Sequence, residues 1–259
     1  MLKEISRFQD STVFEGMTSI RAIIKGIDSG INTRRISKIL FDKERLKNIA
    51  KDLGYLRAVA GKYGFDIVES SAADIENLAV GQSHGGLIAI ADERVLPYLS
   101  DETDIPENGF FCLIQGIEDP YNFGYSIRSL FACGCDGIIL GERNWMSAAG
   151  VVSRSSAGAS EMMNIYRGAD DLSTVDLFIK RGYTVVCADK RTDNVLGKCT
   201  LKRPILLLVG GEKRGLSKAM LEKADILVKI DYKREFSASL SAASATTMFA
   251  YEIMRQDSN

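Results

Sequence analysis

The sequence holds one histidine, His84, one tryptophan, Trp145, and four prolines in 259 residues. A single histidine excludes an H-E-x-x-H metal helix and any histidine-rich metal centre. The five cysteines (Cys112, Cys133, Cys135, Cys187 and Cys199) contain no C-x-x-C pair, which argues against a structural zinc site. An odd count without a framework suits a reducing cytosol. Cys133 and Cys135, flanking a glycine, read as small buried side chains. No G-x-x-x-x-G-K-[ST] loop is present. No apolar run approaches the ~20 residues that a membrane helix needs. The opening MLKEISRFQD lacks the cationic and then apolar pattern of a secretory signal. A cytoplasmic protein with no membrane partner and no metal is therefore expected.

What is there is a globular composition, 46% hydrophobic and 26% charged. The near-zero net charge hides blocks. Residues 20–62 carry eleven Lys/Arg against four Asp/Glu, residues 63–109 one against ten, and residues 178–234 fourteen against six. Two separated basic blocks permit an anionic partner such as RNA; each block alone also reads as a solvated helix face.

The stretch PYLSDETDIPENG, 97–109, breaks the pattern with two prolines and an Asn-Gly, and it reads as a boundary. The expected division is residues 1–100, a linker at 101–109, and residues 110–259. Before the boundary the periodicity predicts a helix over 17–26 ended by Gly26, a strand over 36–41, a helix over 43–63, a strand at 66–68, a helix over 72–79 and a strand over 86–91. After it, strand 110–117, a turn at Asp119-Pro120, a helix with Ile127, Leu130 and Phe131 on one face, and strand 137–140 form a βαβ unit with parallel strands. Further strands are expected at 184–188, 205–209 and 226–230. A final helix over about 239–255 carries Met248, Phe249 and Ile253 on one side. The fold class is α/β in both parts.

Polar residues gather where these strands end. ILLLVGGEKRG, 205–215, runs from a buried strand straight into Gly210-Gly211 and then Glu212, Lys213 and Arg214. Glycine there serves a strand-to-loop hinge or a close approach of backbone to a ligand. The first βα turn, IEDPYNFGYSIR, has one glycine where a dinucleotide fingerprint has three, so a nicotinamide enzyme is not expected. His84, beside Gly85-Gly86, reads as a turn or substrate-surface residue, and Trp145 as a core or interface residue.

Three stretches, QGIEDPYNFGYSIR (115–128), LLVGGEKRGLS (207–217) and KIDYKREFSASLSAA (229–243), resemble the ordered motifs of the SpoU (TrmH) family of RNA ribose 2′-O-methyltransferases, of the SPOUT class. The first motif's form, D-P-x-N-x-G-x-x-x-R, stands here as Asp119, Pro120, Asn122, Gly124 and Arg128. The second, G-x-E-x-x-G-L, stands as Gly210, Glu212, Gly215 and Leu216. SSAGASE, 155–161, is similar to the family's S-A-G-A-x-E stretch. The third departs: Ile-Pro-Met is replaced by Ile230-Asp231-Tyr232, and Ser-Leu-Asn by Ser239-Leu240-Ser241. GMTSIRAIIKG and SHGGLIAIA resemble, more weakly, the substrate-binding domain that often precedes this catalytic domain.

The resemblance implies a parallel-sheet domain with a deep trefoil knot, preceded by a small ribosomal-protein-like α/β domain that binds RNA. It implies S-adenosylmethionine as cofactor, held by Ala188, Asp189, Val209, Gly210, Gly211, Glu212, Gly215, Ile230, Ser239 and Leu240. It implies catalytic roles for Asn122, Arg128, Glu212, Ser239 and Ser241. Arg128, with a guanidinium fork suited to phosphate, is expected to engage RNA along with Arg34, Arg35 and Lys38. Outside the family reading, Asn122 is an ordinary turn residue, Glu212 a helix-start acid and Ser239 the cap of the last helix. Ribosomal RNA is the preferred substrate, transfer RNA the other, and a homodimer through the C-terminal domain is expected. Ser241 in place of asparagine leaves open a second class, an RNA-binding relative that holds the cofactor with weak or lost catalysis.

Overall fold

The computed structural model describes residues 9–81, 84–117, 119–141, 145–211, 215–235 and 238–257. They divide into two compact units, one made of the chain to Val95 plus Trp145–Met162, the other of Leu96–Asn144 plus Met163–Asn259.

Unit 1 holds strands β1 (Val13–Glu15), β2 (Ile36–Asp42), β3 (Asp66–Ser70) and β4 (Leu87–Ala91), and helices α1 (Gly16–Asp28), α2 (Leu46–Tyr63) and α3 (Ala72–Leu78). The sheet order is β1-β4-β2-β3, with β2 and β3 parallel and the other pairs antiparallel. Three-residue β1 was not expected; it is too short for a period-2 signal. Ile20, Ile23 and Ile24 of α1 and Ile49, Leu53 and Leu56 of α2 are buried in one core with Phe14 and Ile39. Gly64 ends α2 in the left-handed conformation, where glycine lacks the Cβ penalty.

Gly26 does not end α1, as expected, but sits inside it. A Cβ there would lie 2.1 Å from the Glu161 carbonyl oxygen. The glycine serves close packing on the short helix Ala159–Met162. That helix also supplies the charge at the centre of a polar cluster. Glu161 is fully buried; its Oε2 accepts from Arg34 Nε at 2.8 Å and Asn32 Nδ2 at 2.7 Å. Arg34 Nη1 donates to the Asp92 carbonyl at 2.7 Å, and its guanidinium lies 4.6 Å from the Phe14 ring centre.

Unit 2 is one six-stranded, wholly parallel sheet in the order β10-β8-β9-β5-β6-β7. The strands are β5 (Phe110–Ile114), β6 (Gly137–Leu140), β7 (Ile165–Arg167), β8 (Thr184–Ala188), β9 (Ile205–Val209) and β10 (Ile226–Val228). Its labelled helices are α4 (Pro120–Ala132), α5 (Asp171–Lys180), α6 (Lys218–Glu222) and α7 (Ala242–Asp257). Every residue of β5, β6 and β9 is buried, as strands covered on both faces require. Phe111, Phe178 and Tyr183 pack ring to ring on one face, with centroids 5.0–6.0 Å apart.

Residues 101–109, read above as a linker, belong to unit 2, where Leu99 and Ile105 enter the core and Tyr183 Oη donates to the Pro106 carbonyl. Strand β5 stops at Ile114 rather than 117, because Gly116 turns the chain with φ +69°. Phe131, grouped by its spacing with Ile127 and Leu130 on one apolar face of α4, is 39% exposed, whereas those two are buried.

Two glycine substitutions should have opposite signs. Gly54 lies inside α2 with open space where its Cβ would go. Gly54→Ala should stabilise by about 0.5–1 kcal/mol through lost unfolded-state entropy. Gly26→Ala should destabilise by about 1–3 kcal/mol, because overpacking exceeds the gain in helix propensity. Denaturant midpoints of the two variants check this; a stabilised Gly26→Ala protein would contradict the packing described.

Candidate active site at the carboxyl edge of the parallel sheet

All strands of unit 2 point the same way, so their last residues share one edge. Ile114 pairs with Val209, Cys187 with Leu208, and Ala188 with Val228. The ladders run on past the strands: Gln115 N–H donates to the Val209 carbonyl at 2.9 Å and Asp189 N–H to the Val228 carbonyl at 3.0 Å. The first two motif stretches therefore leave from adjacent strands, and the third leaves the same edge from β10, one strand beyond β8. This is the edge at which open α/β sheets bind ligands.

The glycines at the end of β9 serve the chain itself. A Cβ on Gly211 would stand 1.9 Å from the Gly116 carbonyl oxygen, and one on Gly210 would stand 2.5 Å from the Gly215 carbonyl carbon. Gly211 and Gly215 close on each other, with Gly215 N–H donating to the Gly211 carbonyl at 2.8 Å and φ +62° at Gly215. Of the two readings open for these glycines, hinge and close approach to a ligand, the structure shows main chain meeting main chain at both. Glu212, Lys213 and Arg214 lie outside the described residues, and so does the role expected of Glu212.

After β8, the Asp189 carboxylate accepts the backbone N–H of Arg191 at 2.7 Å and its side-chain Nε and Nη2 at 3.0 and 2.7 Å. The guanidinium holds this carboxyl below its ordinary pKa, aided by the backbone N–H and opposed by burial. The clamp thus persists above the unfolded carboxyl's pKa and is lost only as pH falls through the lowered folded value. After β5, Gln115 donates its side-chain amide to Asp171 at the start of α5. Burial raises the pKa of Asp171 despite that bond.

Asp119 caps α4 by accepting the N–H groups of Tyr121 and Asn122, and Pro120 occupies the first helical position. Both residues set the helix start, as the Asp-Pro pair suggests. Asn122 is half-buried in the first turn. Arg128 is exposed, and among the described residues it forms no ion pair. Helix α7 packs along α4, with Ser129 Oγ and Thr247 Oγ1 2.6 Å apart.

The third stretch forms an open groove. Ile230, Tyr232, Leu240 and Met248 supply its apolar wall, and Asp231, Lys233, Arg234 and Glu235 its charged rim. Leu240 N–H donates to Tyr232 Oη at 3.2 Å. Helix α7 begins at Ala242 rather than 239. Its cap is Ser241, whose Oγ accepts Ser244 N–H at 3.2 Å and pairs with Ser244 Oγ at 3.0 Å. Ser239, read as a possible cap, is exposed and outside the helix. Met248, expected on one side of the helix with Phe249 and Ile253, is 42% exposed, whereas those two are buried.

The structure thus brings together Ala188, Asp189, Val209, Gly210, Gly211 and Gly215 at the strand ends, and groups Ile230 with Leu240 in the groove. It does not support Arg34 as an RNA contact. That side chain is 2% exposed and spent on Glu161. Arg35 is exposed beside Asp92 at 3.4 Å, and Lys38 is half-buried; both belong to unit 1. His84 is a turn anchor, its Nδ1 accepting Gly86 N–H and its Nε2 3.1 Å from Glu76. Sequence reasoning quoted Glu161 and Tyr232 without giving either a role, and it missed the Gln115–Asp171 pair. A lone carboxylate among the small residues of SSAGASEMM was a usable signal for the first; the other two depend on contacts with no sequence period.

Comparisons with known proteins agree with this arrangement. The chain is 29% identical over 203 residues to the 23S rRNA (guanosine-2′-O-)-methyltransferase RlmB of Shewanella oneidensis, covering 76% of this chain and 81% of that one. It is 26% identical over 227 residues to the putative TrmH family tRNA/rRNA methyltransferase YacO of Bacillus subtilis, covering 86% and 89%. Among solved structures, an RNA 2′-O ribose methyltransferase superposes with a TM-score of 0.78 over 98% of this chain and 95% of its own, at 21% identity. The SpoU methyltransferase AviRb of Streptomyces viridochromogenes, solved with AdoMet, superposes at 0.76 over 94% and 89%, at 23% identity. These last two likenesses concern the fold. Residues 109–251, more than half of the chain, match the SpoU rRNA Methylase family, and the chain belongs to that family of methyltransferases.

Proposed function

We propose that this protein is an S-adenosylmethionine-dependent RNA methyltransferase that methylates a ribose 2′-hydroxyl, with ribosomal RNA as its substrate. The observation that carries the reading is the meeting of three motif stretches at one sheet edge, beside a helix that presents the exposed Arg128. The names of the relatives, a ribosomal RNA guanosine-2′-O-methyltransferase among them, support the substrate class. Such an enzyme acts in the cytoplasm, where its RNA is.

The residues present fit the cofactor. The groove of Ile230, Leu240 and Met248 offers apolar contact beside the polar side chains of Asp231 and Glu235, the mixture that an adenosine with a cationic sulfonium tail requires. Ala188, Asp189, Val209, Gly210, Gly211, Glu212, Gly215, Ile230, Ser239 and Leu240 would hold it. Bound there, S-adenosylmethionine supplies an electrophilic methyl on its sulfonium. The chain's task is to align a poor nucleophile and take its proton. Arg128 binds the target phosphate with its planar fork and lowers the cost of the developing alkoxide. Asn122 positions the nucleotide from the first turn of the same helix. Unit 1, through Arg35 and Lys38, recognises the RNA. The knotted passage of the C-terminal chain and a homodimer of unit 2 belong to the same proposal; exposed Met248 and Tyr251 on α7 supply an apolar face for a second copy.

Ser241 in place of asparagine gives no ground for lost catalysis. It caps α7, a role for which asparagine and serine are about equally good. The departure from the family pattern therefore keeps the mechanical function of the position.

Three outcomes follow. Methyl transfer to cellular RNA should fall about 100-fold or more in Arg128→Ala, the scale of a positioned catalytic group, while calorimetric binding of S-adenosylmethionine persists. Arg128→Lys should fail as well, since a point charge lacks the fork; near-normal turnover would remove the bidentate role. Mapping of methylated riboses with and without the protein separates ribosomal from transfer RNA.

Ser241→Asn should retain thermal stability and activity, whereas Ser241→Ala should cost about 1 kcal/mol of stability. Inactive but stable Ser241→Asn would show a hydroxyl-specific role in place of capping.

Light scattering tests the dimer, and a monomer at working concentration would exclude it. If the site is shared, mixing Arg128→Ala with Leu240→Asp protein, altered in the groove proposed for the cofactor, should restore activity in heterodimers that keep one intact site.

A further inference from the structure

The third motif lacks the proline that the family pattern places after its strand. Proline fixes φ and stiffens the exit from the strand. Asp231 imposes no such constraint, and the chain then runs out through exposed Lys233, Arg234 and Glu235 before returning at Leu240. Something else must hold the two limbs of this loop in register.

Tyr232 does so. Its phenolic oxygen accepts the N–H of Leu240 at 3.2 Å, eight residues away. Leu240 directly precedes Ser241, the cap of α7. Two consecutive anchors thus fix the returning limb: one ties it back to the strand exit, the other to the helix. The ring of Tyr232 also walls the groove with Ile230, Leu240 and Met248. One side chain therefore borders the groove and sets the backbone on both sides of it.

We infer that Tyr232 is a positioning residue for the cofactor, replacing a backbone constraint in the outgoing limb with a hydrogen bond across the loop. The inference rests on the reading of this edge as an S-adenosylmethionine site. It has a specific consequence: the phenol and a proline at 231 are alternative solutions to the same problem. Among the described residues the Asp231 N–H has no acceptor, so a proline there removes no bond.

The test uses the full-length chain. Tyr232→Phe keeps the ring and removes the hydroxyl, and with it the acceptor for the Leu240 N–H. The dissociation constant for S-adenosylmethionine and its KM should rise about fivefold, the scale of one neutral hydrogen bond. The turnover at saturating cofactor should stay within about twofold of the parent's, because the loss is one of uniform binding. Exchange of the Leu240 amide should quicken, and the thermal midpoint should hardly move. Asp231→Pro placed in the Tyr232→Phe background should return the affinity. Parent-like affinity and parent-like Leu240 exchange in Tyr232→Phe would overturn the inference. So would an affinity loss that follows a lowered midpoint and is not rescued by Asp231→Pro. A parent protein that takes no S-adenosylmethionine at all would overturn the methyltransferase reading and this inference together; a parent that binds it while Tyr232→Phe binds equally well would overturn only the latter.

Discussion

The contact between Gly116 and Gly211 constrains the rest of unit 2. β5 and β9 are adjacent, parallel and buried throughout, and they end in register. Two turns must therefore leave from neighbouring points in the same direction. They fit because neither carries a side chain at the point of contact: a Cβ on Gly211 would overlap the Gly116 carbonyl. Once the turns interlock, the first can lead directly to Asp119, which caps α4 and so fixes the direction in which Asn122 and Arg128 are presented. Burial of the two strands, worth about 25 cal/mol per Å² of apolar surface, thereby supports the precise placement of a polar edge.

That edge divides its work between backbone and side chains. The strand ends offer main-chain groups whose positions follow from the ladders, and these tolerate change in the side chains beside them. The third motif illustrates the point. Its asparagine has become Ser241 and its proline is absent, yet α7 is still capped and the loop still joined across its mouth. What the site requires there is backbone geometry, and more than one residue type can impose it. Arg128 differs, since its proposed role depends on a planar cation that no neighbouring type reproduces.

Much of this was legible in the sequence where local chemistry decides the outcome. FFCLI and ILLLV are apolar runs of strand length bounded by turn signals, and Asp119-Pro120 is a helix start written in two residues. Legibility failed where a partner distant in sequence decides. Gly26 looked like a helix stop because glycine usually is one; its actual partner is a carbonyl at residue 161. Arg34 looked like an RNA contact because it sits in a basic block; its counter-charge is 127 residues away. Of the three-residue strands, β10 was legible in its apolar ILV run, whereas β1 and β7 each end in a charged residue and show no such run. At the site, the groove residues Ile230 and Leu240 were legible through the family pattern, whereas Tyr232, which holds that groove, matched nothing.

The Arg34–Glu161 pair also explains a feature of the chain's organisation. Residues 145–162 lie in sequence between β6 and β7 of the catalytic sheet but fold into unit 1. A segment of small residues has little apolar area to commit it to one core over another. A buried carboxylate is more selective, because it costs several kcal/mol unless it meets a cation and hydrogen-bond donors of suitable geometry. Glu161 finds Arg34 and Asn32 in unit 1, and Arg94 donates to the carbonyls of Ser160 and Ile31 beside it. The pair adds little net stability on such grounds; its effect is on specificity, by penalising any other placement of the segment. Unit 1 is consequently not a contiguous N-terminal domain, and a fragment ending at the 97–109 boundary would leave Arg34 buried without its carboxylate.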